Sequence, residues 1–442
     1  DFQITGEFWA ELNGLMADFN DPGRFITVPG YEWSGNTGLG GDRNVFYGDE
    51  TGTIRRSSHA LVPDRSDEDT DCVDARELFA ALKTSGEDVI CWAHCGGRYA
   101  DIIFAHDTDI ERAVEVHSSW GTFEWLLADA FSQGYRVGVV CNSDGHKGRP
   151  GAEPPGASMF GALGGLTCYL TERFDRAALF DTMRARHHYG TTGCRLDLMV
   201  SMDLPQGGLA FRDDPSLPGA TGRTVEAAIM GDIVKVAPGT ARLSVSVAAP
   251  SPIVALEIRD GTEVLETLYL ADTQPRGRRI VVTWSGAEYR GRFRQSVWDG
   301  SLTVTGNRIL QARAINFFNP DKPLVREGET ISWKSVTTGN FAGVELTLEE
   351  MEAGTLSVET PMGRLECPIT DLATAPLELD CGKLERKLSA YRLPDENAAA
   401  SLAFTRNIAL EGEERRILVA LTLENGHRAW SSPIYLIPEA GL

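Results

Sequence analysis

The sequence predicts an α/β fold over residues 1–200 followed by a β-rich region over residues 201–442. Three observations predict it. Short apolar runs alternate with helix-like stretches up to about residue 200, as in repeated β-α units that build a parallel sheet or barrel. Beyond that point the text changes to strand-like alternation punctuated by Gly, Pro and Asp. At 442 residues the chain also exceeds a usual single core, so two or three domains are expected.

Four apolar runs carry the first half: Arg24 to Tyr31 (RFITVPGY), Asp88 to Ala93 (DVICWA), Ala113 to Val116 (AVEV) and Arg136 to Cys141 (RVGVVC). Between them Phe8 to Phe19, Asp74 to Lys83 and Thr122 to Gln133 space their apolar residues as helices do, and Phe174 to Arg186 reads as another. His187 and His188 then read as the end of that helix. Thr51 to Cys72 is rich in Ser, Asp and charge with little periodicity, so it reads as a mobile excursion with a solvated His59. In the second half, Ala241 to Val247, Ile253 to Ile258, Arg279 to Trp284, Ile309 to Ala314 and Arg416 to Leu423 read as strands of one or two β-sandwich units. That region holds one histidine, His427, and reads as accessory.

Composition excludes several function classes. A formal charge of -21 repels nucleic acid and anionic membrane surfaces at long range. Apolar runs of about 18 residues are absent, which argues against a helical membrane span. Eight cysteines without a CxxC pair indicate neither a zinc ribbon nor a dense disulfide framework. Cys367 and Cys381 stay open as a disulfide or two buried thiols. A reducing, cytoplasmic setting fits this usage, with a periplasmic one open because the sequence starts at Asp1 rather than at an initiator methionine.

The chemistry lies at the ends of the four runs. Glu32 follows the first, His94 the second, His117 the third, and Asp144 with His146 the fourth. In a parallel α/β barrel such strand ends share one face, so residues distant in sequence converge there. Glu115 and His117 fall on one side of an extended strand, as do Asp144 and His146, because side-chain direction repeats every two residues. Each residue alone has an ordinary structural reading as an ion-pair partner, a core histidine or a cap; their joint placement points to metal. A mixed carboxylate and imidazole set suits zinc, manganese or iron rather than magnesium or calcium. Arg43, Asn44, Arg98, Lys147 and Arg149 stand beside these positions as candidates for holding an anionic small-molecule substrate.

The segments PGYEW (29–33), CWAHCGG (91–97), VEVHSSWG (114–121) and NSDGHKGRPG (142–151) resemble, in order, the later metal motifs of the PHP-domain phosphoesterases. GDRNVFYGDE (41–50), HHYGTTGCRLDL (187–198) and RAWSSPIYL (428–436) are similar to recurring segments of the DUF3604 family within that superfamily. The resemblance implies a distorted (β/α)7 PHP-type barrel holding two or three divalent metals. Glu32 would bridge two of them, His94 and His117 would serve one, Asp144 the other, and His146 a third. The family's opening HxH and DH motifs do not occur in the sequence, so the expected barrel lacks its first motifs here and their place is expected upstream of Asp1. Asp42 is a second departure, where related sequences tend to carry a histidine.

The implied activity is phosphoester hydrolysis by a metal-activated water, with Glu32, Asp144, Arg43 and Arg149 as catalytic candidates. Sulfate-ester, lactone or amide hydrolysis, and a non-catalytic binding protein on a degraded barrel, are the competing readings.

Overall fold

The computed structural model describes residues 1–146, 162–291 and 295–439. The first half opens with α1 (Gly6–Phe19), β1 (Gly30–Ser34), β2 (Asp42–Tyr47), α2 (Ala75–Thr84), β3 (Val89–Ala93) and β4 (Glu111–Ser118). It continues through β5 (Gly121–Thr122), α3 (Glu124–Ser132), β6 (Gly138–Cys141), β7 (Leu166–Tyr169), α4 (Arg176–Arg184), β8 (His188–Thr191) and the long β9 (Asp197–Phe211). Side-chain caps set the helix starts. Thr5 accepts from the Phe8 amide, Asp74 from those of Arg76 and Glu77, and Asp175 from that of Ala178.

The expected (β/α)7 barrel does not form. Among the described residues there are thirty strands but four α-helices, and the sheets stay open rather than closing into a ring. The reason is local. A β/α barrel needs a crossover helix between successive parallel strands. Here β1 and β2 are joined by the short connection 35–41, which holds a single 3-10 turn (Thr37–Leu39) and no crossover α-helix, and they pair antiparallel, as β2 does with β3. Parallel pairing in this sheet is confined to β3 with β4 and β4 with β6. The first apolar run is also displaced, since the strand covers Gly30–Ser34 and places Glu32 in its middle rather than after its end.

Strands β7 and β8 leave this sheet altogether. They form one edge of a 12-stranded sheet that continues through Arg428–Ser431, Arg415–Leu423, Ile434–Pro438, Ile233–Val236, β9 and Gly239–Ala248 to Ser401–Leu410. Thr191 pairs with Ala429, so the sheet crosses the sequence change near residue 200. Its core joins Leu198, Val200 and Val245 to Leu256, Ile258, Val419 and Leu421, so the sheet curls over onto itself.

Residues 279–393 sit between two strands of that sheet. They form two five-stranded sheets whose facing residues, among them Val282, Trp284, Val344 and Leu346 against Leu302, Ile331, Trp333 and Val358, share one core. Trp284 and Trp333 stack at 4.4 Å between ring centroids. Cys367 and Cys381 are both free thiols. No helix of the described residues is long and apolar enough to cross a membrane.

The small sheet is fixed to the large one through a shared core of Val114, Val116, Leu126, Phe131 and Val139 with Leu418, Trp430 and Tyr435. The Tyr435 hydroxyl donates to the Val137 carbonyl and accepts from the Val137 amide, both at 2.8 Å, which pins the start of β6. The segment 51–72 is not a free excursion. His59 is buried within it, and Trp33 of β1 donates its indole N–H to the Cys72 carbonyl at 3.1 Å.

Candidate functional site

The parallel strands β3, β4 and β6 end side by side, and the residues just beyond or near their carboxyl ends meet. That is where an open α/β sheet presents its ligand crevice. His94 follows β3 directly, and its amide donates to the Asp42 carbonyl at 3.2 Å, which ties the loop after β3 to the start of β2. Its ring is held from behind: Nδ1–H donates to Glu115 Oε1 at 2.7 Å, and the Asn142 amide donates to Glu115 Oε2 at 2.6 Å. This fixes the tautomer and leaves Nε2 facing Asp144 Oδ2 at 3.5 Å. Asp144 lies at φ 45, in the left-handed region that costs a non-glycine residue energy and that recurs at functional sites.

Glu32 and Asp42 close the other side. They stand diagonally on the β1–β2 ladder, where Glu32 pairs with Asn44 and Ser34 with Asp42. Asp42 Oδ2 accepts the Arg98 amide at 2.8 Å, and the Ser34 hydroxyl donates to Glu32 Oε1 at 3.2 Å. Gly96 leaves the space in front: a Cβ there would stand 2.7 Å from His94 Nε2 and 2.9 Å from Asp42 Oδ2. Gly40 and Gly41, both at positive φ, bring Asp42 in. A Cβ on Gly41 would fall 1.8 Å from the Tyr99 carbonyl oxygen. We expect Gly41→Ala to lower stability by more than about 2 kcal/mol, because both the backbone conformation and the close approach are lost. Urea unfolding of the variant checks this; wild-type stability would contradict it.

The electrostatics are those of buried anions in excess. Burial raises Asp42 to about 7, with the neighbouring Glu32 charge adding to it against the pull of Arg98 and His94. Burial likewise raises Asp144 to about 7, with Glu115 and Glu32 adding and His94 opposing. Burial alone would raise Glu32 and lower His94. Instead His94 holds Glu32 below its usual range, helped by hydrogen bonds from Ser34 and Asp42, while Glu115, Asp144 and Glu32 lift His94 to about 10.

The donor chemistry fits a divalent cation. Asp42 Oδ1 and Asp144 Oδ2 are buried without a hydrogen bond, and a mixed carboxylate and imidazole set surrounds the space before His94 Nε2. Among the described residues no three such side chains stand in ligating geometry, so the residues gather without forming a finished cage.

Of the residues singled out from sequence, Glu32, His94 and Asp144 come together here. His117 does not join them. A β-bulge between Glu115 and His117 in the pairing of β4 with β6 breaks the two-residue alternation expected to aim both the same way. Its Nδ1 meets the Thr122 hydroxyl at 2.8 Å and its Nε2 the Leu163 carbonyl at 2.8 Å, so both nitrogens are engaged. His146 lies outward, with its side chain 57% exposed and Nδ1 2.9 Å from the Asp144 carbonyl.

Arg43 is also corrected. Its side chain is fully buried, paired with Glu111, and donates to the carbonyls of Gly40 at 2.7 Å and Ala105 at 3.0 Å, so its guanidinium is spent inside the fold. Asn44 sits in the ladder opposite Glu32 and Trp92. Arg98 is at the site but is engaged with the carbonyls of Ser34 and Gly35 and with Asp42. Lys147 and Arg149 lie outside the described residues. Asp42, Glu115 and Asn142 are members of the cluster that strand-end reasoning did not select. Glu115 was legible only as the neighbour of His117, and Asp42 only as a departure from a family pattern.

Over 232 aligned residues the chain is 24% identical to an uncharacterized protein of Chlamydia pneumoniae. The alignment covers 46% of this chain and 34% of that protein, so the chain spans about a third of that relative's length. No solved structure matches. Residues 2–118, which contain Glu32, Asp42, His94 and Glu115 but stop short of Asp144, match the model of the DUF3604 family, described as a protein of unknown function.

Proposed function

We propose that this cluster is a divalent-metal site serving ester hydrolysis, of the kind the PHP phosphoesterases carry out. The observation that carries the reading is His94. A carboxylate behind its ring fixes Nδ1, so Nε2 is presented to a space bounded by the buried acids Asp144, Asp42 and Glu32. Orientation of an imidazole by a carboxylate behind it is a recurring device of metal sites.

In this reading His94 Nε2, Asp144, Asp42 and Glu32 hold the cation, with Glu115 and Asn142 as positioning residues. A bound divalent cation would supply a water of lowered pKa and would stabilise charge on the leaving oxygen. The chain's own contribution is placement. Glu115 and Asn142 hold the His94 ring in place, the Arg98 amide and the Ser34 hydroxyl hold Asp42 and Glu32, and Gly96 leaves room for a substrate oxygen in front of them. The PHP superfamily assignment rests on the ordered segments 29–33, 91–97, 114–121 and 142–151.

Metal analysis of the purified chain after zinc or manganese loading, followed by a panel of phosphoesters, sulfate esters, lactones and amides, tests the proposal. At least one ion per chain is expected, with loss on Asp144→Ala and an affinity lowered about 10- to 100-fold on Glu115→Gln. A wild-type chain that folds but takes up neither metal would refute it.

A further inference from the structure

The segment 51–72 holds a group that the proposed site does not use. His59 is 3% exposed, and both of its ring nitrogens lie against carboxylates: Nδ1 is 2.7 Å from Asp71 Oδ2 and Nε2 is 3.1 Å from Asp67 Oδ1. A neutral imidazole has one N–H, so it can donate to one of these acceptors; with Nδ1–H on Asp71, its Nε2 lone pair meets the Asp67 carboxylate at 3.1 Å and has only the longer 3.5 Å contact with the Arg56 guanidinium as a donor. Only the imidazolium donates to both.

The clamp closes a loop. Arg56 lies 3.0 Å from Asp67 Oδ2, and its own carbonyl accepts from the Cys72 amide at 2.8 Å, so the two ends of the segment 56–72 are joined. The Cys72 carbonyl in turn accepts from the indole of Trp33, beside Glu32 on β1. Arg56 Nε donates to the Ile4 carbonyl at 2.8 Å. What His59 fastens is therefore a flap laid against β1 and against the residues leading into α1.

We propose that His59 is a proton-operated latch, which holds the segment 56–72 closed while the imidazole is protonated and releases it when the proton leaves. The charged groups facing it are Asp67 and Asp71, which favour the proton, Arg56 at 3.5 Å from Nε2, which opposes it, and the more distant Asp64. Burial would lower its pKa, but the hydrogen bonds and charges of Asp71 and Asp67 outweigh this and raise it above the ordinary histidine value. A group raised in the folded state stabilises fully below its ordinary pKa and loses that contribution as pH rises through the folded value. The latch is thus closed below the ordinary histidine range and opens as pH rises through the raised folded value. This inference is independent of any metal chemistry.

Hydrogen exchange of peptides covering 57–72, corrected for the intrinsic pH dependence of exchange, is the test. Between about pH 6.5 and about pH 9 their protection is expected to fall by about tenfold or more, while Phe341–Leu348 in the sandwich core changes little. His59→Gln should show the low protection at both pH values. Equal protection of 57–72 across that range in the wild type, or wild-type protection in His59→Gln, overturns the proposal. Should the variant not fold, the nitrogen resonances of His59 in the wild type decide it: both nitrogens protonated at about pH 6.5, the ordinary histidine value, supports the latch, and a neutral tautomer there overturns it.

Discussion

Replacing His188 by Asn should make the protein less stable than the wild type near pH 7 and should close or reverse that gap by about pH 4.5, a relative swing of roughly 3 kcal/mol. His188 is fully buried in β8; its Nδ1–H donates to the Val139 carbonyl at 2.8 Å, and its Nε2 is buried with no hydrogen-bond partner. Burial holds its pKa down at about 3, with the nearby Arg186 charge pushing the same way. The sign follows. Between the ordinary value of 6.5 and the folded value the unfolded chain binds a proton that the native state refuses, so stability falls as pH falls through that window. The full effect is roughly 3 to 5 kcal/mol, a large part of a typical domain's stability.

The comparison must be differential, because the raised carboxyls of Asp42 and Asp144 act oppositely over the same range, gaining stability as they take up protons. Asn retains a donor for the Val139 carbonyl and removes the titration, so the pH dependence of the difference isolates His188. Urea unfolding at several pH values measures it. A difference that stays constant with pH would mean that His188 is already charged or already solvated.

His188 also shows where sequence reading runs out. It reads as a helix-end histidine, since it follows α4 closely, yet it lies in a strand that pairs with Arg428–Ser431 from the far end of the chain. A pairing between residues more than 200 positions apart leaves no local trace. The helices were legible because each carries its own periodicity, with a side-chain cap on α1, α2 and α4, and the same holds for β3 and β6, whose apolar runs are complete in themselves.

Extending those local units into a repeat predicts a parallel sheet or barrel, which the resemblance makes a (β/α)7 one, and the repeat fails where β1, β2 and β3 pair antiparallel. The strand-end argument survives that failure, because it needs only parallel neighbours ending together, and β3, β4 and β6 are such neighbours. Glu32, His94 and Asp144 were legible for this reason. His117 was lost to one inserted residue in β4, since a bulge changes which face a side chain takes without altering residue type or spacing. Asp42 enters through a turn set by Gly40 and Gly41, whose close contact with Tyr99 is visible only in three dimensions.

Arg43 separates the two kinds of evidence most sharply, and Arg43→Met should destabilise the protein by about 3 to 5 kcal/mol. By residue type it suits a phosphate, standing one position after Asp42. In the fold its guanidinium is enclosed: it pairs with Glu111, donates to the carbonyls of Gly40 and Ala105, and lies 5.7 Å from the centre of the Phe79 ring. Glu111 is equally buried and also accepts from His106 Nδ1 at 2.7 Å. Removing Arg43 alone strands the Glu111 charge in the interior, which is the costly half of breaking a buried pair. Removing both charges is far cheaper, because each ion's desolvation penalty disappears with it. The double variant Arg43→Met with Glu111→Leu should therefore recover at least half of the single variant's loss. Chemical unfolding of the three proteins tests this. A single variant of wild-type stability whose only defect is weakened binding of an anionic substrate would return Arg43 to the role its residue type first suggested.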